Sequence, residues 1–178
     1  MKGKRKTATK AKVVKKTVAK ARPAKKKKVQ AVPAGYTSVT AHLVCKGAGA
    51  AMDFYIRAFG AKDKGRMSGP GGVVVHGEMR IGNAVIMLGE EMPEMGARSP
   101  LAIGGSPVTL MLYVKDVDAS FARAVAAGCT VQMAPANMFW GDRYCKVADP
   151  FGHQWAIATH IEDMSIKEMG RRMVAEFS

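Results

Sequence analysis

The side chains best able to bind a metal ion or move a proton are four histidines and one nearby glutamate. The histidines are His42, His76, His153 and His160. His76 and Glu78 are two residues apart, so they share one face if this segment is a strand. Imidazole nitrogens and carboxylate oxygens are ligands for zinc and related transition metals. A lone strand histidine, however, is more often a hydrogen-bonded structural residue than a metal ligand.

Three cysteines, Cys45, Cys129 and Cys145, are the other candidates for metal binding or nucleophilic chemistry. Their number is odd and no two are spaced as CxxC. The sequence therefore predicts reduced thiols in a reducing compartment, not a disulfide framework or a zinc site. We interpret all three as small core or strand residues. No Ser-His-Asp or Cys-His arrangement can be argued from the spacing.

These residues must be positioned by the helices and strands that the sequence predicts. The first of these is a strand over 39–45. An amphipathic helix follows over 48–59, because apolar residues recur there with helical spacing and Gly60 can supply a left-handed cap. Residues 73–81 and 84–88 are predicted to form two further strands, joined by Gly82-Asn83.

The same order of elements recurs in the second half. A strand is predicted over 108–114, a helix capped by Asp116 runs to residue 127, and Gly128 ends it. Three more strands are predicted over 129–133, 144–148 and 153–159. Gly60 and Gly128 are 68 residues apart, so we interpret the chain as two copies of one strand–helix–strand–strand–strand unit. A capping box at Ser165 predicts a final helix.

Five motifs are similar to those of one protein superfamily. They are Ala51-Met-Asp-Phe-Tyr-Ile-Arg-Ala-Phe-Gly-Ala61, His76-Gly-Glu-Met-Arg-Ile-Gly82, Leu112-Tyr-Val-Lys-Asp-Val-Asp118, Phe139-Trp-Gly-Asp-Arg-Tyr144 and Asp149-Pro-Phe-Gly-His-Gln-Trp155. The chain resembles the vicinal oxygen chelate group (glyoxalase, bleomycin resistance and dioxygenase proteins) in its PhnB-like branch. The resemblance covers residues 37–163. It implies an α+β fold in which two βαβββ units form a curled mixed sheet around a cavity. The C-terminal helix over 164–178, predicted from the capping box, lies outside the resemblance.

In the metal-dependent members that the resemblance points to, His and Glu side chains on four strands hold a divalent ion. Carried over by motif, these four positions fall on Thr40, Met87, Thr109 and Ala156. None of the four is a plausible ligand for zinc, nickel or iron. We therefore expect no metal cofactor. A divalent metal bound by non-standard ligands, drawn from His42, Glu78 and His160, is the alternative.

The cavity implied by the resemblance would be lined by apolar and aromatic side chains. Trp140 would stack on a flat ligand, and Arg143 would bind an anionic or carbonyl group. Alternatively, the 13 methionines fill an irregular core and Arg143 pairs with Asp142 or Asp149 to brace a loop. The candidate ligand-binding residues are His42, Met87, Met111, Tyr113, Trp140 and Arg143.

The N-terminal segment, residues 1–34, differs from the rest of the chain in charge. It holds 14 Lys and Arg and no acidic residue, whereas the other 144 residues hold 14 basic and 14 acidic groups. We expect a disordered arm, because so little apolar surface cannot offset the entropy of ordering. Three interpretations remain open: nonspecific nucleic-acid contact through Lys25, Lys26, Lys27 and Lys28, an address signal, or a solubilising tail.

These observations lead to three hypotheses about function. The first is a metal-independent protein that binds a small, apolar or aromatic molecule. The second is a metal-dependent lyase, isomerase or dioxygenase with non-standard ligands, and the third is a nucleic-acid-associated protein. We also expect a homodimer and no membrane partner. The expected compartment is the cytoplasm. Two alternatives are association with the nucleoid and, if the source is a eukaryote, location in the nucleus.

Overall fold

The structure is a computed structural model that describes residues 29–178. The interpretations of residues 1–28, including Lys25–Lys28, lie outside the described residues. The helices and strands are β1 (His42–Cys45), α1 (Ala48–Phe59), β2 (Lys62–Ser68), β3 (Val74–Ile81), β4 (Ala84–Glu90), α2 (Pro100–Ile103), β5 (Thr109–Tyr113), α3 (Val117–Ala127), β6 (Thr130–Asn137), β7 (Asp142–Ala148), β8 (Gln154–His160) and α4 (Ile166–Glu176).

The strands form two mixed sheets with the same internal order. The first sheet has the order β1-β4-β3-β2 and the second β5-β8-β7-β6. In each sheet the first and last strands of the unit, β1 with β4 and β5 with β8, run parallel, and the other pairs are antiparallel. The α+β class and the repeat of two βαβββ units are therefore confirmed.

The described strands do not form one curled sheet around a cavity, as the resemblance implied, but two separate sheets. Among residues 29–178 the eight strands make two separate four-stranded sheets, and β1 and β5 each lie at a sheet edge. The two units meet through their helices instead, since α1 packs against α3. Within the described chain, the sheets do not close around an enclosed cavity.

One hydrophobic core lies between the units. The aromatic side chains of α1 pack against those of the second unit, with the Phe59 and Trp155 rings 4.4 Å apart and the Tyr55 and Trp155 rings 5.4 Å apart. Strand residues alternate between this core and the other side. In β5, Leu110 and Leu112 pack against the core, whereas Met111 points away from it. We call the side of each sheet that is turned away from this core its free face.

The ends of the helices follow the sequence signals. Gly60 adopts a left-handed conformation (φ 67°) after α1, as its position predicts. The Asp116 side chain accepts a hydrogen bond from the Ala119 amide at 2.9 Å and caps α3, and Ser165 caps α4 in the same way. No helix within residues 29–178 is long and apolar enough to cross a membrane.

Candidate functional site

The free face of the first sheet carries the predicted residues His42 and Met87 side by side. Met87 in β4 is paired with His42 of β1 and with Glu78 of β3. The His42 ring lies over Gly89, where an added Cβ would come within 3.2 Å of Nε2. Glycine at this position therefore gives the imidazole room to lie against the sheet.

Glu78 is the acceptor in a small charged cluster on this face. The Lys64 ammonium lies 3.2 Å from a Glu78 carboxylate oxygen and 4.6 Å from the centre of the Tyr36 ring. His76 Nε2 lies 3.7 Å from the other carboxylate oxygen. Hydrogen bonding by Tyr36 and by Lys64 lowers the pKa of Glu78. Glu78 is thus the counter-ion of Lys64.

The four positions that the resemblance assigns to a metal site do not fit a divalent metal. They carry two hydroxyl groups, a thioether and a methyl group, and the hydroxyl of Thr40 lies 3.4 Å from the Thr37 carbonyl oxygen. Imidazole and carboxylate are the side chains that hold such an ion. In the described part of the chain, no three His, Cys, Asp or Glu side chains are placed to share one ion.

The alternative ligand set of His42, Glu78 and His160 is divided between the two sheets. His42 and Glu78 belong to the first sheet and His160 to the end of β8 in the second. Both ring nitrogens of His160 already have acidic partners, Asp142 Oδ1 at 2.8 Å and Asp163 Oδ1 at 3.0 Å. The structure does not assemble these three residues into a metal site.

The free face of the second sheet is organised around Asp142, a carboxylate that the sequence suggests only as a possible ion-pair partner of Arg143. Asp142 Oδ2 accepts hydrogen bonds from the Tyr113 hydroxyl at 3.0 Å and from Trp140 Nε1 at 3.2 Å. Its other oxygen is the partner of His160 described above. Asp142 is buried, and its bonds fix the orientation of Tyr113 and Trp140, two of the predicted ligand-binding residues.

Two residues of the predicted apolar lining, Met111 and Tyr113, are exposed to solvent on this face. Met111 is 44% exposed and Tyr113 is 60% exposed. The Trp140 ring packs edge-on against Phe139, with centroids 4.9 Å apart, and against Tyr144 at 5.5 Å. These side chains form an apolar, aromatic surface whose polar atoms point toward Asp142.

Arg143 does not contribute to this surface. Its guanidinium forms a two-point ion pair with Asp118 of α3, with both nitrogen–oxygen distances at 2.7 Å, and a further hydrogen bond to Asn137. Successive strand side chains point to opposite faces, so Arg143 faces the helix while Asp142 faces the free side. An ion pair is the alternative role that the sequence suggests for Arg143, and an ion pair is found. Its partner is Asp118, however, and not Asp142 or Asp149.

A second buried carboxylate, Asp149, holds the two units together. Its Oδ2 accepts hydrogen bonds from the Tyr55 hydroxyl at 2.7 Å and from Trp155 Nε1 at 2.9 Å. Its Oδ1 accepts bonds from two backbone amides of the following turn, including that of His153. This turn lies within the motif Asp149-Pro-Phe-Gly-His-Gln-Trp155, and nothing in that motif indicates the link to Tyr55 on α1.

The nearby Cys45 thiol is not an activated nucleophile. Its sulfur lies 3.5 Å from His153 Nε2, which also lies 3.2 Å from the Val44 carbonyl oxygen. Burial raises the pKa of Cys45 to about 12. All three cysteines are free and buried, in agreement with their interpretation as core residues.

Comparisons with known proteins identify a matching protein family and a related protein. The model of the glyoxalase/bleomycin resistance protein/dioxygenase superfamily matches residues 36–157. An uncharacterized protein of Mycobacterium bovis is 42% identical over 142 residues, which cover 78% of this chain and 93% of that protein.

Two solved structures show the same architecture. A gene product of Arabidopsis thaliana is 29% identical, with a TM-score of 0.57 over 69% of this chain and 98% of its own. A PhnB protein from Bacillus cereus is 16% identical, with a TM-score of 0.55 over 69% of this chain and 99% of its own. The chain therefore belongs to the glyoxalase/bleomycin resistance protein/dioxygenase superfamily and shares its fold with a PhnB protein.

Proposed function

We propose that the protein binds a small, apolar or aromatic molecule on the free faces of its sheets, without the metal of the superfamily. The observation that carries the proposal is the open surface of the second sheet. There Met111 and Tyr113 are exposed, and Trp140 is held in one orientation by its bond to Asp142. Large apolar side chains with a few fixed polar groups are typical of small-molecule sites.

The arrangement favours binding over catalysis. Trp140 and Tyr113 offer ring faces for stacking, and their polar atoms are already satisfied by Asp142. On the first sheet, Met87 and His42 present a smaller surface of similar character. The four superfamily ligand positions supply no metal-binding group, so the proposal includes no step that needs a metal.

A homodimer is part of the proposal. Both sheets pack one side against the same core, so their free faces turn away from each other in one chain. Neither face can enclose a ligand unless something covers it. A second copy that places the second-sheet face over the first-sheet face would bury the exposed apolar residues of both, which is favourable.

The charge of residues 1–34 supports a second, separate candidate function. All 14 excess positive charges of the chain are found there, while the remaining residues sum to zero. A cationic segment of this kind binds nucleic-acid phosphates by releasing counter-ions. We propose that this segment gives the protein a nonspecific affinity for nucleic acid that is independent of the folded domain.

The small-molecule proposal can be tested with 2-naphthol, an uncharged aromatic probe, in equilibrium dialysis against the full chain. We expect binding that Trp140→Ala weakens by about two- to twelvefold, because an aromatic pair contributes about 0.5–1.5 kcal/mol beyond its buried area. Met95→Ala, which removes an exposed side chain elsewhere on the domain, should leave the affinity unchanged. Undetectable binding, or equal binding by wild type and Trp140→Ala, would contradict the proposal.

A further inference from the structure

A pocket beside the edge strand β1 lies where the two units adjoin, and it shares only His42 with the free-face residues described above. It has a volume of about 300 Å³ and is bounded by β1 on one side and by the segment that joins α2 to β5 on the other. Most of its wall is apolar, contributed by Ala41, Val44, Pro100, Ile103, Val108 and Leu110. This volume is at the lower end of the range of small-molecule sites, roughly 300–1,000 Å³.

The mouth of this pocket exposes apolar surface to water. Ile103 is 56% exposed and Val108 is 60% exposed, and both line the pocket. An apolar body inserted between these side chains and β1 would remove that surface from water. The favourable free energy would be about 25 cal/mol for each Å² of apolar area buried.

One cation at the same pocket, Arg98, has no acidic partner in the described part of the chain. The arginine ion pairs within residues 29–178 are those of Arg66, Arg143, Arg171 and Arg172. Arg98 is exposed and lines the pocket, as does the imidazole of His42.

The carboxylates that precede Arg98 in the chain are engaged elsewhere. Glu91 accepts hydrogen bonds from the Ser99 hydroxyl at 2.6 Å and from the Ser99 amide at 3.2 Å. Glu90 accepts bonds from the amides of Gly47 and Ala48 at the start of α1. Among residues 29–178 the Arg98 guanidinium therefore has no carboxylate partner, and its five N–H donors are available to a bound anion.

We infer that this pocket is a second binding site, for a small amphiphilic molecule with one anionic head group. The head group binds the Arg98 guanidinium, which matches the two oxygens of a carboxylate or phosphate. The apolar body lies between Ile103, Val108 and β1. At roughly 30 Å³ per water-sized atom, the pocket holds a ligand of roughly ten non-hydrogen atoms.

Three eight-carbon probes with different head groups test this inference on the full chain by calorimetry. They are octanoate, octyl phosphate and 1-octanol. We expect the two anions to bind about tenfold more tightly than the alcohol, because hydrogen bonds to charged groups are among the stronger ones. The tighter of the two anions identifies the head group as carboxylate or phosphate.

Variants then assign the effect to the pocket. Arg98→Gln should remove the preference for the anions, and Arg98→Lys should keep part of it. Ile103→Asp should weaken all three probes. Arg57→Gln is the matched control, because Arg57 is an exposed arginine that bonds to the backbone of its own helix, and it should change nothing.

Two results would overturn the inference: equal or undetectable binding of octanoate and octanol by the wild type, or an anion preference that survives Arg98→Gln. Trp140→Ala separates this site from the proposed free-face site, since it should leave octanoate affinity unchanged. A loss of octanoate binding in Trp140→Ala would place the anion on the free face and would likewise overturn the inference.

Discussion

Two buried aspartates organise most of the polar side chains that matter for this protein. Asp149 links α1 to the second unit through Tyr55 and Trp155. Asp142 orients the aromatic side chains of the second free face and holds His160. Each accepts at least three hydrogen bonds, as a buried carboxylate must if it is not to cost several kcal/mol.

The histidines allow this account to be tested by titration. Hydrogen bonds to Asp142 and then to Asp163 raise the pKa of His160 above its ordinary value, whereas burial lowers the pKa of His153. Histidine NMR signals followed against pH should therefore show one midpoint above about 6.5 and one below it. His160→Gln should remove the upper midpoint, and Asp163→Asn should lower it.

The two shifts have opposite consequences for stability. The contribution of His160 is fully present below the unfolded pKa, about 6.5, and is lost as pH rises through the folded pKa. For His153 the folded state prefers the neutral ring, so stability falls as pH drops below about 6.5. The control variants His42→Gln and His76→Gln should leave both shifted midpoints in place. Midpoints that are reversed, or both unshifted, would contradict these roles.

At the scale of elements, the helices were the most predictable part. α1 begins and ends where the sequence pattern placed it, and the caps at Asp116 and Ser165 form as expected. Short-range signals decide these boundaries, because a cap and its partner lie within one helical turn. β1, in contrast, begins only at His42, three residues later than predicted.

β2 was not predicted, although the repeat requires a fourth strand in the first unit. Its sequence, Lys62–Ser68, is polar and all its residues are exposed. It lies at the edge of the first sheet and pairs only with β3 among the described strands. Charged edge strands of this kind resist pairing with other chains, and they carry no apolar alternation by which a sequence could reveal them.

Strand alternation explains which site residues were predictable. The alternation of β5 correctly separates Met111 and Tyr113 from the core-facing residues. Arg143 follows Asp142 directly in β7, so the two must point to opposite faces, and only Asp142 reaches Trp140. The role of Asp142 also depends on its contacts with Tyr113 and His160, which are 29 and 18 residues away in sequence, and local patterns do not encode such contacts.

At the scale of the whole molecule, charge and fold are divided between two parts of the chain. Removal of residues 1–34 should leave the thermal unfolding midpoint of the domain nearly unchanged, because that segment has little apolar surface to contribute to a core. Affinity for DNA or RNA should disappear with it. For the full chain, the logarithm of the affinity should fall steeply with the logarithm of the salt concentration, without preference for sequence.

A nucleic-acid binding experiment on the full and shortened chains at several salt concentrations checks this division. The segment contains no aromatic residue to stack on bases, so a random and a defined duplex should bind equally. Binding retained by residues 35–178, or a clear preference for one sequence, would show that the folded domain itself contacts nucleic acid.

The central claim is that this superfamily member binds a small organic molecule in a dimer without a resident metal. Native mass spectrometry of the purified full chain, with elemental analysis of the same sample, tests it most directly. The account predicts the mass of two chains, an organic molecule released on denaturation, and no stoichiometric zinc, nickel, manganese or iron. One such ion per chain, lost in His42→Ala, would contradict it and favour the metal-dependent lyase, isomerase or dioxygenase.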